Sequence, residues 1–203
     1  MTQVVDLLGY DHIVRHASRH TFAPKRARFI FVRHGETEGN RTKVYQVPHI
    51  PLNETGEAQA ARAAKALATT HIGKLVASPM ARAWRTASLI AAEHKMHPEV
   101  DGALNERFYT ALWDTPIQGE FDWNWDPEGC EPLGTFVHRA AHSVTRILED
   151  DTPQGETVIV AHGGILLVVC ALTGATLHND NRRNAVPLRF TFESGQWVAT
   201  PVT

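Results

Sequence analysis

The chain has 203 residues, 43% hydrophobic and 21% charged, with a net charge of -2; that suits one globular domain with a modest appendage and excludes a general electrostatic pull toward nucleic acid or an acidic membrane. Two cysteines, Cys130 and Cys170, make no disulfide framework, so a reducing, cytoplasmic setting is expected. The start carries Asp6 and Asp11 where a signal peptide would be basic and then apolar, and no apolar run approaches the ~20 residues that span a bilayer.

Residues 1–27 read as an N-terminal extension. Val4, Val5 and Leu8 stand at helical spacing and Pro24 closes the stretch. The expectation is a short helix that docks on the body of the domain or on a second copy in a homodimer. His12, His16 and His20, four apart, share one helical face. Arg15 and Arg19 flank them and no carboxylate or cysteine completes a ligand set, so a surface or packing stripe is favoured over a metal site. From residue 28 strands and helices alternate. "RFIFV" is a strand; "NETGEAQAARAAKALATT" is a helix capped by Asn53; "GKLVAS" is a strand; and "PMARAWRTASLIAAEH" is a helix with Pro79 at its first position. Residues 108–134 lack regular periodicity and read as a lid insertion, ordered by three tryptophans. "GTFVHRAAHSVTRILED" is a helix, "GETVIVA" a strand, "HGGILLVVCALTG" an apolar helix ending at Gly174, and "PLRFTFES-GQWVAT" a hairpin. Such alternation predicts an α/β fold, a three-layer α/β/α sandwich over 28–203 with a mostly parallel central sheet and at least one antiparallel edge strand.

Ligands of open parallel sheets sit at the carboxyl ends of the strands. Three strand ends here carry related groups: Arg33-His34-Gly35, then Ser78-Pro79 with Arg82 one turn on, then His162-Gly163-Gly164. Arginine offers permanently charged planar donors suited to a tetrahedral oxyanion. The Gly163-Gly164 helix start offers bare backbone N–H groups. The constellation predicts a phosphate pocket with His34 as nucleophile, its ring held by donating one N–H to a carbonyl. Arg82 is expected at the rim and Arg85 in solvent. "NDNRRN", 179–184, has the look of an anion site, with a basic solvated loop the favoured reading, and the remaining histidines read as surface residues.

"RHGETEGN", "SPMARAWRT", "LNER" and "VAHGG", in that order, resemble the histidine phosphatase superfamily, the phosphoglycerate-mutase-like phosphatases, over about residues 28–192. The resemblance implies a phosphohistidine on His34, Glu106 as proton donor, and Arg33, Arg82 and a protonated His162 around the phosphate. Asn40, Gly163 and Tyr109 are candidate substrate contacts, with Asn40 as a plain turn residue and Glu106 as a partner of Arg107 the alternatives. No metal or other cofactor is implied.

Where the resemblance stops is informative. "LNERFYT" is similar to the mutase form, yet no lysine or arginine lies between Arg107 and Arg139; Asp114, Glu120, Asp122, Asp126, Glu128 and Glu131 stand there. An acidic lid should repel a second phosphate, which favours a phosphomonoester hydrolase over a phosphoglycerate mutase; a non-catalytic phosphate-binding or interaction module is disfavoured because the nucleophile, acid and pocket arginines are all present. The expected partner is a small phosphorylated substrate, a phosphoprotein being the other option. Trp113, Trp123 and Trp125 either wall the leaving group or pin the lid to the core.

Overall fold

The apolar runs assemble into one six-stranded sheet in a computed structural model that describes residues 7–150, 154–176 and 178–203. In chain order the elements are α1 (Tyr10–Ala17), β1 (Arg28–Arg33), α2 (Glu38–Thr42), α3 (Glu54–Leu67), β2 (Ile72–Ala77), α4 (Ala81–Glu93), β3 (Glu99–Val100), α5 (Leu133–Glu149), β4 (Glu156–Ala161), α6 (Gly163–Thr173), β5 (Pro187–Glu193) and β6 (Gln196–Pro201). The strand order is β3-β2-β4-β1-β5-β6. Pairing is parallel from β3 to β1 and antiparallel at β5 and β6, so the closing hairpin contributes two antiparallel strands.

Alternation along β1 separates the two faces. Phe29 and Phe31 enter a core built with α1, α5 and α6. Ile30 and Val32 enter a second core with Leu67 of α3 and Ile90 of α4. Side chains that alternate across a buried strand require a layer on each side, which gives the three-layer α/β/α arrangement. Among the described residues, no helix is long and apolar enough to cross a membrane.

Local chemistry sets the element ends. Asn53 caps α3 by accepting the Gly56 N–H at 2.8 Å, and Gly174 ends α6 with φ 69°. α4 starts two residues later than expected: Pro79 lies outside it, because Ser78 Oγ takes the Met80 N–H at 3.2 Å and Met80 holds the cap position. α1 buries Ile13 and Ala17 and packs on α5 and α6 of its own chain. Val4 and Val5 lie outside the described residues. His20 meets His138 of α5 with tilted rings, centroids 4.9 Å apart, and His16 abuts Gly134, so these two members of the stripe pack against α5. Among the described residues, no three His, Cys, Asp or Glu side chains gather as a metal site.

Register places the site. Arg33 is the partner of Ala161 across the β1–β4 pair, and Ala77 the partner of Val160 across β2–β4. The chain after each strand therefore emerges at one edge. Behind the first of these loops, Gly35 and Gly56 meet backbone to backbone. A Cβ on Gly56 would collide with the Glu36 carbonyl, and one on Gly35 with the Gly56 carbonyl. Gly56→Ala is expected to lower unfolding free energy by about 1–3 kcal/mol through overpacking. It should also reduce turnover beyond what stability explains, since it displaces the loop after His34. Denaturant midpoints and turnover measured together test this.

Candidate active site

His34 follows β1 and is 3% exposed. Its backbone N–H donates to the Ala161 carbonyl at 2.9 Å. Its ring Nδ1 lies 2.7 Å from the Gly35 carbonyl. A carbonyl only accepts, so Nδ1 carries the proton and Nε2 keeps a lone pair. Gly35 is itself held, its N–H donating to Thr86 Oγ1 at 3.1 Å while that hydroxyl donates to the Arg82 carbonyl at 2.8 Å. The loop before β5 braces the other side. Asn184 Nδ2 donates to the His34 carbonyl at 2.9 Å and to Asn40 Oδ1 at 3.2 Å, and Arg33 Nη1 donates to the Arg182 carbonyl at 2.9 Å.

The two arginines and His162 share a feature that buried groups rarely have. Arg33 Nε, Arg82 Nε and His162 Nδ1 are buried and have no hydrogen-bond partner among the described residues. Such orphans are uncommon in folded proteins and call for an explanation. Arg82 is otherwise fixed, donating to the Val47 carbonyl at 3.2 Å and to Met80 Sδ at 3.2 Å. His162 Nε2 lies 2.8 Å from Ser78 Oγ, which donates to Asn105 Oδ1 at 2.9 Å. The hydroxyl thus accepts from His162 Nε2–H, and Nδ1 is the bare nitrogen. The His34 and His162 ring centroids are 5.2 Å apart, edge to face.

Burial first, and neighbouring charge second, set the protonation of this cluster. Burial, then Arg82 and Arg33, drive the His34 ring well below the ordinary imidazole range. Burial, Arg82, His34, Arg33 and Arg139 do the same to His162. Both rings are therefore held toward the neutral form until an anion binds beside them. Burial also pushes Arg82 down to about 10, against the attraction of Glu106, with Arg33 adding to the fall.

Glu106 faces these cations. Its Oε1 accepts the Arg107 N–H at 3.0 Å and its Oε2 the Gly164 N–H at 2.9 Å. The backbone carrying it is clamped by Arg139 of α5, which donates to the carbonyls of Ala103, Asn105 and Glu106 at 2.7–3.0 Å. The Arg107 side chain turns away from Glu106. All five of its N–H donors are used, on the carbonyls of Trp123, Trp125 and Glu131, the Tyr109 hydroxyl and the Asp126 carboxylate. It is 3% exposed and straps the lid to the domain.

Arg33, Arg82, Glu106 and Gly163 open into a cavity of about 490 Å3. The family-model comparison is decisive for what this site belongs to: the model of the histidine phosphatase superfamily (branch 1) matches residues 29–201. The chain belongs to this superfamily. A protein named "Probable phosphoglycerate mutase GpmB", from Cronobacter sakazakii, is 31% identical over 192 residues, covering 83% of this chain and 86% of its own. The agropine synthesis reductase of Rhizobium rhizogenes is 30% identical over 189 residues, covering 84% of this chain; the chain spans 40% of that relative's length. The fold matches that of a mycobacterial glucosyl-3-phosphoglycerate phosphatase, with TM-score 0.70 at 24% identity, covering 87% of this chain and 98% of the other.

Within this histidine phosphatase fold Arg33, Arg82 and Glu106 line the cavity with Gly163 and Tyr109, and His34 and His162 are buried beside the two arginines without lining it. Asn40 is placed differently. It belongs to the capping box of α2 with Thr37, its Oδ1 accepts from Thr37 N and Asn184 Nδ2, and it does not line the cavity. Arg85 lies on the surface, paired with Glu57 at 2.8 Å. Arg182 corrects the reading of 179–184 as a solvated loop, for it lines the cavity. The acidic lid needs a correction too. Of its six carboxylates only Glu120 lines the cavity; Asp126 and Glu131 are paired with Arg107 and Arg139. The lid therefore does not present the wall of negative charge that its composition suggests. The tryptophans divide: Trp113 and Trp123 line the cavity, Trp123 also stacks on Phe136 at 6.2 Å, and Trp125 is exposed.

A ring titration tests the electrostatics without a substrate. His34 should titrate below 6.5 by NMR, and Arg82→Gln should move that value upward, because one of the two cations opposing its protonation is gone. A His34 ring protonated at pH 7 in the wild type contradicts the account.

Proposed function

We propose that this protein is a phosphomonoester hydrolase that works through a phosphohistidine on His34 and needs no metal. The observation that carries the reading is the set of three unpartnered buried nitrogens, on Arg33, Arg82 and His162, beside an imidazole whose Nδ1 is engaged by a carbonyl, which leaves the lone pair on Nε2. A tetrahedral dianion is the ligand that satisfies two guanidinium donors at once. Bare His162 Nδ1 takes up a proton as the dianion arrives, becoming a third donor.

In the first step His34 Nε2 attacks phosphorus, the N–P bond forms and the P–O bond to the leaving group breaks. The departing oxygen takes a proton through Glu106, which ends the step as the carboxylate. Positive charge on the phosphorylated ring is spread toward Nδ1, where the Gly35 carbonyl accepts the N–H. Arg33 and Arg82 meet the charge on the equatorial oxygens, the largest contribution to phosphoryl transfer. In the second step water loses a proton to the Glu106 carboxylate, attacks phosphorus and breaks the N–P bond. Inorganic phosphate leaves and the imidazole returns to its starting tautomer.

Kinship with a protein named as a phosphoglycerate mutase favours a second reading, transfer of the phosphoryl group to a bound alcohol. The two readings share the first step and differ in the acceptor. Rapid quench with a 32P-labelled monoester should trap label that survives alkali and is lost in mild acid, the behaviour of a P–N bond. His34→Ala should trap none and lose at least 1,000-fold in kcat/KM, and a chelator should leave the wild-type rate unchanged. Label recovered as inorganic phosphate in step with product supports hydrolysis; label recovered in a second ester supports transfer. Full activity in His34→Ala overturns both.

A further inference from the structure

We propose that Leu7, which precedes the stretch matched by the family and is held against the lid by Leu8 and Gly9, forms one wall of the leaving-group subsite, and that this subsite takes a flat apolar alcohol. The inference rests on the phosphomonoesterase reading and deepens it. Beyond the phosphate-binding end, the cavity is walled by Tyr45, Phe108, Tyr109, Trp113, Phe121 and Trp123. The rings are packed as a continuous series: Tyr45 to Tyr109 4.9 Å, Tyr109 to Phe121 5.6 Å, and Phe121 to Trp123 4.9 Å between centroids. The Tyr109 hydroxyl already accepts from Arg107, so it is not idle. Lys43, Gln46, Arg107, Glu120 and Arg182 are the polar and charged side chains that line it beside the phosphate-binding groups. A sugar or glycerate leaving group would bring hydroxyls to a wall made mostly of ring carbon, where unpaired polar groups are disfavoured. An arene covers the same wall with offset or edge-to-face contacts.

The N-terminal segment completes that wall. Leu7 lines the cavity together with Trp123 and Glu106. Just after it, the Leu8 carbonyl accepts the Trp123 N–H at 3.1 Å. Gly9 has φ 78°, and a Cβ there would lie 2.5 Å from both Asn124 N and Asp122 Oδ1. Only glycine lets the segment press this closely on the lid. α1 then anchors the segment through buried Ile13 and Ala17. The contact also reaches the acid. Trp123 Cη2 lies 2.7 Å from where a Cβ of Gly164 would stand, and Gly164 N–H is the donor that holds Glu106 Oε2. The extension thus grips the tryptophan that sits against the seat of the proton donor.

Non-hydrolysable phosphonates separate this claim from turnover. Calorimetry on the full chain should give benzylphosphonate at least tenfold tighter binding than ethylphosphonate, from the apolar area the ring buries. Leu7→Ala should cut that preference three- to tenfold, and Leu7→Asn, of similar branched shape but polar, should cut it similarly. In catalysis the same change appears in the KM of benzyl phosphate relative to ethyl phosphate, two esters with leaving alcohols of similar acidity. Equal binding of the two phosphonates in the wild type, or a preference retained in both variants, overturns the proposal. So does 3-phosphoglycerate outcompeting benzyl phosphate as a substrate. Selective phosphonate binding with no hydrolysis of any monoester would instead leave the subsite standing and sink the hydrolase reading.

Discussion

Two guanidinium groups buried beside two imidazoles form an arrangement that is unfavourable by itself. Desolvation lowers the proton affinity of Arg33, Arg82, His34 and His162 together, and the arginines oppose further positive charge on either ring. Glu106, whose charge favours the protonated form of both Arg33 and Arg82, offsets part of this. The cluster persists because the surrounding backbone holds it: the Gly35 carbonyl on one ring, Ser78 on the other, the Val47 carbonyl on Arg82 and the Arg182 carbonyl on Arg33. The protein thus stores an unsatisfied demand for negative charge, and neutral rings follow from that demand. A neutral His34 is the form that has a lone pair to offer.

The sheet creates this meeting point by register. β2, β4 and β1 are neighbours and parallel, so the residues after each strand leave the sheet at the same edge. Residues more than a hundred positions apart in the chain become side-chain neighbours without any of the loops being long. The helices that follow then fix the groups from behind. Thr86 of α4 holds Gly35, and Arg139 of α5 holds the backbone of Glu106. Rigid supports of this kind keep the reacting groups in place before substrate arrives, which is where electrostatic catalysis gains its advantage.

Much of this was legible in the chain because strand ends are easy to find and charged residues there are conspicuous. An apolar run that stops at Arg33-His34, and another at His162-Gly163, mark the site without coordinates. The supports were not legible. Arg107, Arg139 and Asn184 act on backbone carbonyls, which every residue carries, so no local pattern marks their targets. Arg182 and the acids of the lid were misplaced for a related reason. Composition gives the sign of a segment's charge, and only the fold says whether a carboxylate faces the ligand or an arginine. Glu131 and Asp126 spend their charge on Arg139 and Arg107. The grip of residues 7–9 on Trp123 is longer in range still, joining two stretches more than a hundred residues apart through one carbonyl and one glycine.

Convergence of Arg33, His34, Arg82, Glu106 and His162 on one tetrahedral oxyanion is the claim on which the account turns, and a crystal soaked in vanadate examines it directly. Vanadium should bond His34 Nε2, with Arg33 Nε and Arg82 Nε donating to its equatorial oxygens, His162 Nδ1 beside them, and Glu106 next to the apical oxygen opposite the ring. Vanadate bound elsewhere in the cavity, bonded to Nδ1, or touching only one of the two guanidinium groups would contradict it.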